Sequence, residues 1–167
     1  LSSDGTILAV GAYNAYSGSI QSGVARIYKY FHSADTWVKM GQDIDGEASG
    51  DYFGISTALS SDGTIVAIGG RDNDANGTDS GHVRVYQSSG SGTNITWTQL
   101  GSDIDGDTSG DKSGRSVDLS SDGTILAVGA HGATPYGEAK VYKYRNNDWE
   151  LIADLVGHSG TYFGFSV

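Results

Sequence analysis

Short hydrophobic runs alternate with turns rich in Gly, Ser and Asp along the whole 167-residue chain. Residues 64–68, TIVAI, are apolar without alternation, which is typical of a strand covered on both faces. Residues 24–30, VARIYKY, alternate instead, which predicts a strand with two different faces. No run has the spacing of an amphipathic helix. The pattern therefore predicts an all-β fold.

One twelve-residue phrase occurs three times. LSSDGTILAVGA at residues 1–12 returns as LSSDGTIVAIGG at 59–70 and as LSSDGTILAVGA at 119–130. Self-similarity at a fixed period indicates a repeat architecture. The chain is one repeat array, residues 1–167, with repeats at 1–58, 59–118 and 119–167.

Each repeat carries four predicted strands. In repeat order, they are exemplified by residues 53–59, 64–68, 24–30 and a run that starts at Trp37. The Asp-Gly pair after the first strand supplies a tight hairpin turn. Four antiparallel strands followed by a Gly/Asp loop are the plan of a β-propeller blade, so we predict three four-stranded blades. A stacked β-solenoid is the alternative fold.

A tryptophan follows the third strand at the same place in every repeat. Trp37, Trp97 and Trp149 could stack on sugars, but their fixed position predicts a packing role instead.

The repeats resemble the FG-GAP repeat of integrin α-subunit propellers and of many extracellular proteins. Phe53-Gly54 and Phe163-Gly164 correspond to the "FG", and Val10-Gly11-Ala12 and Val128-Gly129-Ala130 to the start of the "GAP". The chain departs from the family at Ser113-Gly114, at Ile68-Gly69-Gly70 and in lacking the GAP proline.

This resemblance implies an extracellular or cell-surface β-propeller module for adhesion or ligand binding, with a protein or glycan as its ligand. Propellers typically have 4 to 8 blades. We therefore expect either a longer chain, seven-bladed by the resemblance, or copies of this chain that assemble through an end strand. In the second case the repeats would serve as structural units of a surface fibre or sheath.

Charge and composition narrow the partners. Acidic residues outnumber basic ones 20 to 10, so a nucleic acid is not expected as a partner. No apolar run approaches the roughly 20 residues that span a bilayer, so membrane insertion is not expected. Asn76-Gly77-Thr78 and Asn94-Ile95-Thr96 match the N-glycosylation pattern, which predicts glycans at Asn76 and Asn94.

Acidic residues at matched offsets predict a calcium site. Alternating oxygen ligands around a glycine turn suit this hard cation, whereas solvated acidic loops are the other interpretation. The third repeat keeps only Asp154 of the four carboxylates, and the family's own calcium loop is replaced by Ser-Ser-Asp-Gly. The candidate ligands are Asp43, Asp45, Glu47, Asp51, Asp103, Asp105, Asp107 and Asp111.

Three tyrosines lie in the variable segments after the second strands. Tyr13, Tyr16 and Tyr136 are predicted binding residues, because function is commonly grafted onto loops that vary on a fixed scaffold.

Catalytic signatures are absent from the sequence. The four histidines have no metal-ligand spacing, and no nucleophile elbow, phosphate loop or dinucleotide fingerprint occurs. A propeller glycosidase, the enzyme alternative, would need two carboxylates converging in a cleft. We therefore predict a non-enzymatic binding protein.

Overall fold

The computed structural model describes residues 1–92 and 94–167, and every regular element in these ranges is a β-strand. The strands are β1 (Ile7–Ala12), β2 (Val24–Phe31), β3 (Thr36–Lys39), β4 (Ile44–Asp45), β5 (Phe53–Leu59), β6 (Ile65–Gly70), β7 (His82–Ser91), β8 (Asn94–Gln99), β9 (Ile104–Asp105), β10 (Ser113–Leu119), β11 (Ile125–Ala130), β12 (Glu138–Arg145) and β13 (Asp148–Val156). The predicted all-β class is confirmed.

The strands form three antiparallel sheets, one for each repeat. Sheet 1 has the order β1-β2-β3, with β4 also paired to β2; sheet 2 has the order β5-β6-β7-β8, with β9 paired to β7. Sheet 3 has the order β10-β11-β12-β13. The strand predicted at residues 53–59 coincides with β5, and the other predicted strands differ only at their ends. The acidic segments differ from the loops expected of them, because Ile44–Asp45 and Ile104–Asp105 form two-residue strands.

Two hydrophobic clusters lie between the sheets. The cluster between sheets 1 and 2 includes Ile27, Phe53 and Ile68, and the cluster between sheets 2 and 3 includes Val85 and Leu126. All six residues of β6 are buried, as expected for a strand covered on both faces. The sheets pack face to face and approach one another most closely along their first and second strands. This arrangement is propeller-like.

The repeated Ser-Ser-Asp-Gly turn closes the hairpin between the first two strands of a sheet. In sheet 2 the Ser60 hydroxyl donates to Asp62 Oδ1 at 2.7 Å and accepts the Ile65 amide at 3.0 Å. Asp62 Oδ1 also accepts the Thr64 amide at 3.0 Å. Gly63 takes φ of +71°, the left-handed conformation that glycine adopts most easily. Equivalent bonds occur in the other two copies, so the first serine and the aspartate of the turn have the same structural roles in every repeat.

The same turn also joins neighbouring sheets. The Ser3 amide donates to Ser61 O at 2.8 Å, and the Ser61 amide donates to Ser121 O at 2.9 Å. Gly63 lies against Ile7 of the preceding sheet so closely that a Cβ would be 2.7 Å from the isoleucine Cβ. The phrase therefore recurs because it makes bonds both within a sheet and between sheets.

Pairs of glycines mark the points of closest approach between sheets. A Cβ on Gly69 would lie 2.0 Å from the Gly114 carbonyl oxygen, and a Cβ on Gly11 would lie 1.9 Å from that of Gly54. Gly129 meets Gly164 in the same way, at 2.0 Å. The glycines of the "FG" and "GA" positions thus allow backbone-to-backbone contact.

The tryptophans pack across the same junctions between neighbouring sheets. We call the junction of sheets 1 and 2 the first seam and that of sheets 2 and 3 the second seam. The Trp97 indole donates to Met40 O at 3.1 Å, and the Trp149 indole donates to Leu100 O at 2.8 Å. Trp97 is 3% exposed and Trp149 is 8% exposed, which confirms their predicted packing role. Trp37, which has no preceding sheet to contact in this chain, is 42% exposed.

Residues 162–167 begin a fourth unit beside sheet 3. Phe163 forms a parallel bridge with Gly137, as Phe53 does with Gly23 and Ser113 with Gly81. This segment therefore occupies the position of a first strand.

The outer faces of sheets 1 and 3 are uncovered in this chain. Val10 on sheet 1 is 42% exposed, whereas its equivalents Ile68 and Val128 are 0% and 1% exposed. Leu155 on sheet 3 is 49% exposed, although its equivalent Ile104 is 6% exposed. The same side-chain positions are buried where a neighbouring sheet packs against them and exposed where none does.

Candidate functional site

The segments that follow the second strand of each blade vary between repeats and lie at one end of the sheets, which we call the rim. These rim loops are residues 13–23, 71–81 and 131–137. In the first seam, residues 13–23 bond to the segment before β5: the Gly50 amide donates to Gln21 O at 3.0 Å and the Phe53 amide to Ser22 O at 3.1 Å. In the second seam the Gly110 amide donates to Thr78 O at 2.9 Å. These backbone bonds fix the rim loops against the neighbouring sheet.

One carboxylate of each acidic segment stabilises its own loop. Asp51 Oδ2 accepts the Ala48 amide at 3.0 Å and Asn73 Nδ2 at 3.1 Å, and Asp111 Oδ2 accepts the Thr108 amide at 2.8 Å. Both aspartates are buried, so their oxygens are committed to these bonds.

A second carboxylate pairs with a basic residue of the third strand. Asp43 bonds to Arg26 at 2.8 Å and to Lys39 at 2.5 Å, and the hydrogen bond from Arg26 is the main cause that lowers its pKa. Asp103 bonds to Arg84 Nε at 3.0 Å and Gln99 at 2.6 Å. Burial raises the pKa of Asp103, but these hydrogen bonds and the nearby positive charge of Arg84 together outweigh burial, so the pKa is lowered.

A third carboxylate reaches across the seam to the next sheet. Glu47 forms an ion pair with Arg84, and Asp107 forms one with Lys140. Arg84 therefore bonds to carboxylates of two repeats.

Asp45 and Asp105 are the fourth pair of candidate ligands. Asp45 is exposed. Asp105 is partly buried, which raises its pKa, and its Oδ1 has no hydrogen-bond partner among the described residues. The structure thus gives the eight predicted ligands four different environments, and it does not gather either set of four around one point.

One mixed cluster has the separation of a metal site. Single ligand atoms of Glu47, His82 and Asp103 lie within 4.8 Å of one another. His82 is completely buried, and neither ring nitrogen has a hydrogen-bond partner among the described residues. Burial lowers its pKa, which favours the neutral imidazole.

The Arg84 guanidinium limits metal binding at this cluster. It already neutralises Glu47 and Asp103, so a metal ion would have to displace it. The arrangement is therefore better described as an ion-pair network between two sheets than as a metal site. An imidazole is also a poor match for calcium, which prefers oxygen ligands.

Arg84 and its role were not predicted from the sequence. The signal was present, because the third strand has a basic residue at the same position in every repeat: Arg26, Arg84 and Lys140. In the first two repeats this residue pairs with the first aspartate of the acidic segment, Asp43 or Asp103.

The predicted binding tyrosines all lie at the rim and are exposed. Tyr13 meets Tyr52 edge to face, with ring centroids 5.5 Å apart, across the first seam. Tyr16 and Tyr136 lie in the corresponding loops of sheets 1 and 3. The structure therefore places them on one rim in two loops, Tyr13 and Tyr16 in the first and Tyr136 in the other.

Both predicted glycosylation sites are exposed. Asn76 Nδ2 donates to Gly106 O at 2.9 Å across the second seam. A glycan on Asn76 would replace one of the two hydrogens of this amide nitrogen. Asn94 opens β8 on the outer part of sheet 2 and makes no such bond between sheets in the described residues. Its sequon is the more accessible of the two.

Comparisons with known proteins show the fold and no family. No family model and no curated protein matches the chain. A solved structure that does match is a crystal structure described as a "putative 6-phosphogluconolactonase" from Bacteroides uniformis ATCC 8492, with 10% identity and a TM-score of 0.55. The match covers 91% of this chain and 38% of that chain. At this identity the likeness supports an all-β, propeller-like fold alone.

No helix in the described part of the chain meets the length and apolarity that a membrane crossing requires.

Proposed function

We propose that this chain is part of an extracellular, FG-GAP-like β-propeller and acts as a binding module for a protein or glycan partner. The observation that carries the proposal is a rigid scaffold with variable loops on one rim. Backbone bonds, glycine contacts and buried tryptophans lock the sheets together, whereas the loops after the second strands differ in length and in sequence. Exposed tyrosines on those loops supply large contact area at low entropic cost.

Exchange of loops between repeats tests this proposal. Residues 13–23 are replaced by the shorter residues 131–137 of repeat 3, which the same frame already holds. The matched control replaces the opposite-rim turn at residues 32–35 with residues 146–147, the turn between β12 and β13. Both proteins are applied to an array of defined glycans and to a panel of purified extracellular matrix proteins.

We expect the first exchange to abolish a wild-type binding signal and the second to leave it intact. Equal signals from wild type and both exchanges would contradict the rim as the binding surface. Absence of any wild-type signal on either panel would contradict the binding function.

A non-enzymatic role stays a prediction within this proposal. Asp43, Glu47, Asp51 and Asp103 are paired with Arg, Lys or backbone amides, so none of these four is free to act as an acid or a base. Because the fold also occurs in a protein described as a lactonase, hydrolysis of glycans and of 6-phosphogluconolactone is measured in parallel. Turnover of either would overturn the prediction.

Calcium also stays a prediction. The carboxylates with spare oxygens, Asp45 and Asp105, are the sites at which an ion would have to bind first. Thermal unfolding in calcium and in chelator gives the test, since a ligand that binds the folded state raises Tm. Identical Tm values in the two conditions would remove calcium from the proposal.

Assembly through strand completion is the second candidate function. Its specific support is the segment at residues 162–167, which lies beside sheet 3 as a first strand and has no second strand on it in this chain. Sheet 1 correspondingly has β1 as its innermost strand. A ring of fixed stoichiometry in sedimentation equilibrium would support assembly of copies, whereas a monomer at all concentrations would contradict it.

A further inference from the structure

The repeats differ in charge at three equivalent positions near the inner edge of the stack. The residue after the second strand is Tyr13, Arg71 or His131, and the residue before the first strand is Tyr52, Lys112 or Tyr162. The third residue of the first strand is Ile55, Arg115 or Phe165. Because the same backbone frame also holds aromatic and aliphatic residues there, the fold itself does not require cations at these positions.

The cations at these positions lie together in the second seam. The Lys112 ammonium is 3.0 Å from Asp72 and 3.0 Å from Asp79, and Arg71 Nε is 3.3 Å from the same Asp72 oxygen. The Arg71 guanidinium lies over the Tyr52 ring at 5.2 Å. Asp72 thus joins a cation of sheet 2 to a cation that precedes sheet 3.

Arg115 and His131 extend this cluster. The Arg115 guanidinium lies 4.2 Å over the Phe165 ring, and the His131 ring meets the same phenyl ring edge to face at 5.3 Å. The Arg115 amide donates to Lys112 O at 3.2 Å, which fixes the two cations on one turn. Four basic side chains therefore lie around one part of the inner edge.

The cluster carries more positive charge than its neighbours neutralise. Asp79 bonds to Lys112 and Asp72 lies close to both Lys112 and Arg71, but Arg115 has no carboxylate partner among the described residues. Arg71 Nε, although 3.3 Å from Asp72, and His131 Nδ1 are buried atoms without a hydrogen bond in the described part of the chain. Burial lowers the pKa of His131, and the charges of Arg115, Arg71 and Lys112 lower it further, which favours the neutral imidazole. Three cations beside two carboxylates leave a net positive patch in a chain of net charge −10.

We propose that Arg71, Lys112, Arg115 and His131 form a binding site for a small organic oxyanion, a carboxylate or a phosphate ester. Guanidinium groups bind both oxyanions through paired hydrogen bonds, and an ammonium adds a point charge. A small ligand is favoured because the acidic remainder of the molecule repels extended polyanions. Arg71 lies over Tyr52, which also meets Tyr13, so the site adjoins the first rim loop. A small anion is a different ligand from a protein or glycan partner, so the site goes beyond the proposed rim function.

Binding to the whole 167-residue chain is measured calorimetrically with three probes that share one sugar ring. Glucuronate carries a carboxylate, glucose 6-phosphate carries a phosphate ester, and glucose is neutral. We expect saturable binding of at least one anionic probe and none of glucose, and the stronger of the two anions identifies the preferred group. Absence of saturable binding for both anions, or equal binding of glucose, would overturn the proposal.

The repeats supply variants that the frame already tolerates. Arg115→Ile introduces the residue of repeat 1, Ile55, and Lys112→Tyr introduces the residue of repeats 1 and 3 at this position. Lys143→Gln removes one charge from an exposed residue elsewhere and serves as the matched control. Loss of one charged hydrogen-bonding partner predicts about tenfold weaker binding or more for the first two variants. The control should bind as the wild type does.

Two further readouts separate this proposal from misfolding and from the rim function. Circular dichroism and Tm establish that each variant is folded. Exchange of residues 14–23 for residues 132–137, which leaves Tyr13 in place, should retain anion binding. A folded Arg115→Ile protein that binds as tightly as the wild type would refute the site. Loss of anion binding in the Lys143→Gln control to the same extent would refute it as well, because the effect would then be one of net charge.

Discussion

Equivalent tryptophans in three environments provide an internal measure of seam packing. Trp149→Ala removes a buried indole and its hydrogen bond to Leu100 O, so we expect a loss of about 3–5 kcal/mol in the free energy of unfolding. Trp37→Ala should cost less, about 1 kcal/mol, because that residue is 42% exposed and packs against no neighbouring sheet. Urea denaturation of both variants is the measurement, with Trp149→Phe as a folded intermediate case. Equal losses at the two positions would contradict the packing role.

The turn aspartates predict loss of stability in acid. A hydrogen bond from Ser120, followed by bonds from Thr124, lowers the pKa of Asp122 to about 2, and the bond from the Thr64 amide is the main cause that lowers that of Asp62. Each folded pKa lies below the unfolded value of about 3.9. The stabilisation is therefore complete above pH about 4 and is lost as the pH falls towards 2.

The midpoint of urea unfolding at a series of pH values tests this dependence. Asp62→Asn together with Asp122→Asn should flatten the acid limb, because neither side chain then titrates. An unchanged acid limb in the double variant would assign the effect to other carboxylates.

At the scale of the element, the glycine pairs decide how closely two sheets approach. Gly69→Ala would place a methyl group 2.0 Å from the Gly114 carbonyl oxygen, a backbone atom that has little room to move. We expect a loss of about 1–3 kcal/mol in the free energy of unfolding, typical of overpacking. Gly18→Ala is the control: its φ is +61° and nothing lies within 4 Å, so only the backbone cost of about 1 kcal/mol applies.

Thermal unfolding of the two alanine variants distinguishes close contact from backbone preference. A smaller loss at Gly69 than at Gly18 would contradict the contact between sheets.

The strands were predictable because turn residues and hydrophobic runs are local signals. Residues 53–59 were located correctly from Phe-Gly at one end and Ser-Ser-Asp-Gly at the other. The pairing of β4 and β9 was not predictable, because Asp-Ile-Asp in a glycine-rich segment has the composition of a loop and only two residues pair. Their pairing depends on the third strand, which lies far away in sequence.

The contacts between sheets could not be predicted either, because they also join residues that lie far apart in sequence. Glu47, His82 and Arg84 meet only when sheets 1 and 2 stack, and nothing local in the sequence indicates which repeats are neighbours in space. The cations of the inner edge are likewise scattered across two repeats. Repeat-by-repeat comparison of charge would have found both, because it compares positions rather than motifs.

At the scale of the whole molecule, the uncovered faces predict self-association. Val10 and Leu155 expose apolar surface where a further sheet would pack, while the net charge of −10 opposes contact between copies. We expect association to strengthen as salt screens this repulsion. Leu155→Asp should weaken it by placing a charge in the contact.

Sedimentation velocity over a range of protein and salt concentrations measures both effects. Gln87→Glu, which adds the same single negative charge at an exposed position of the middle sheet, is the control for net charge alone. Association that falls with added salt, or that Leu155→Asp leaves unchanged, would contradict apolar contact between the end faces.

The joint between sheets is the same wherever it occurs, and this makes the repeats interchangeable. A serine amide on a serine carbonyl and a glycine against a glycine are contacts of backbone with backbone, so they do not depend on which side chains the two partners carry elsewhere. Duplication or deletion of one unit would therefore recreate every joint without compensating substitutions. Loop sequences could then diverge from unit to unit, and recombination between copies would exchange whole rim loops while the sheets and their contacts persist.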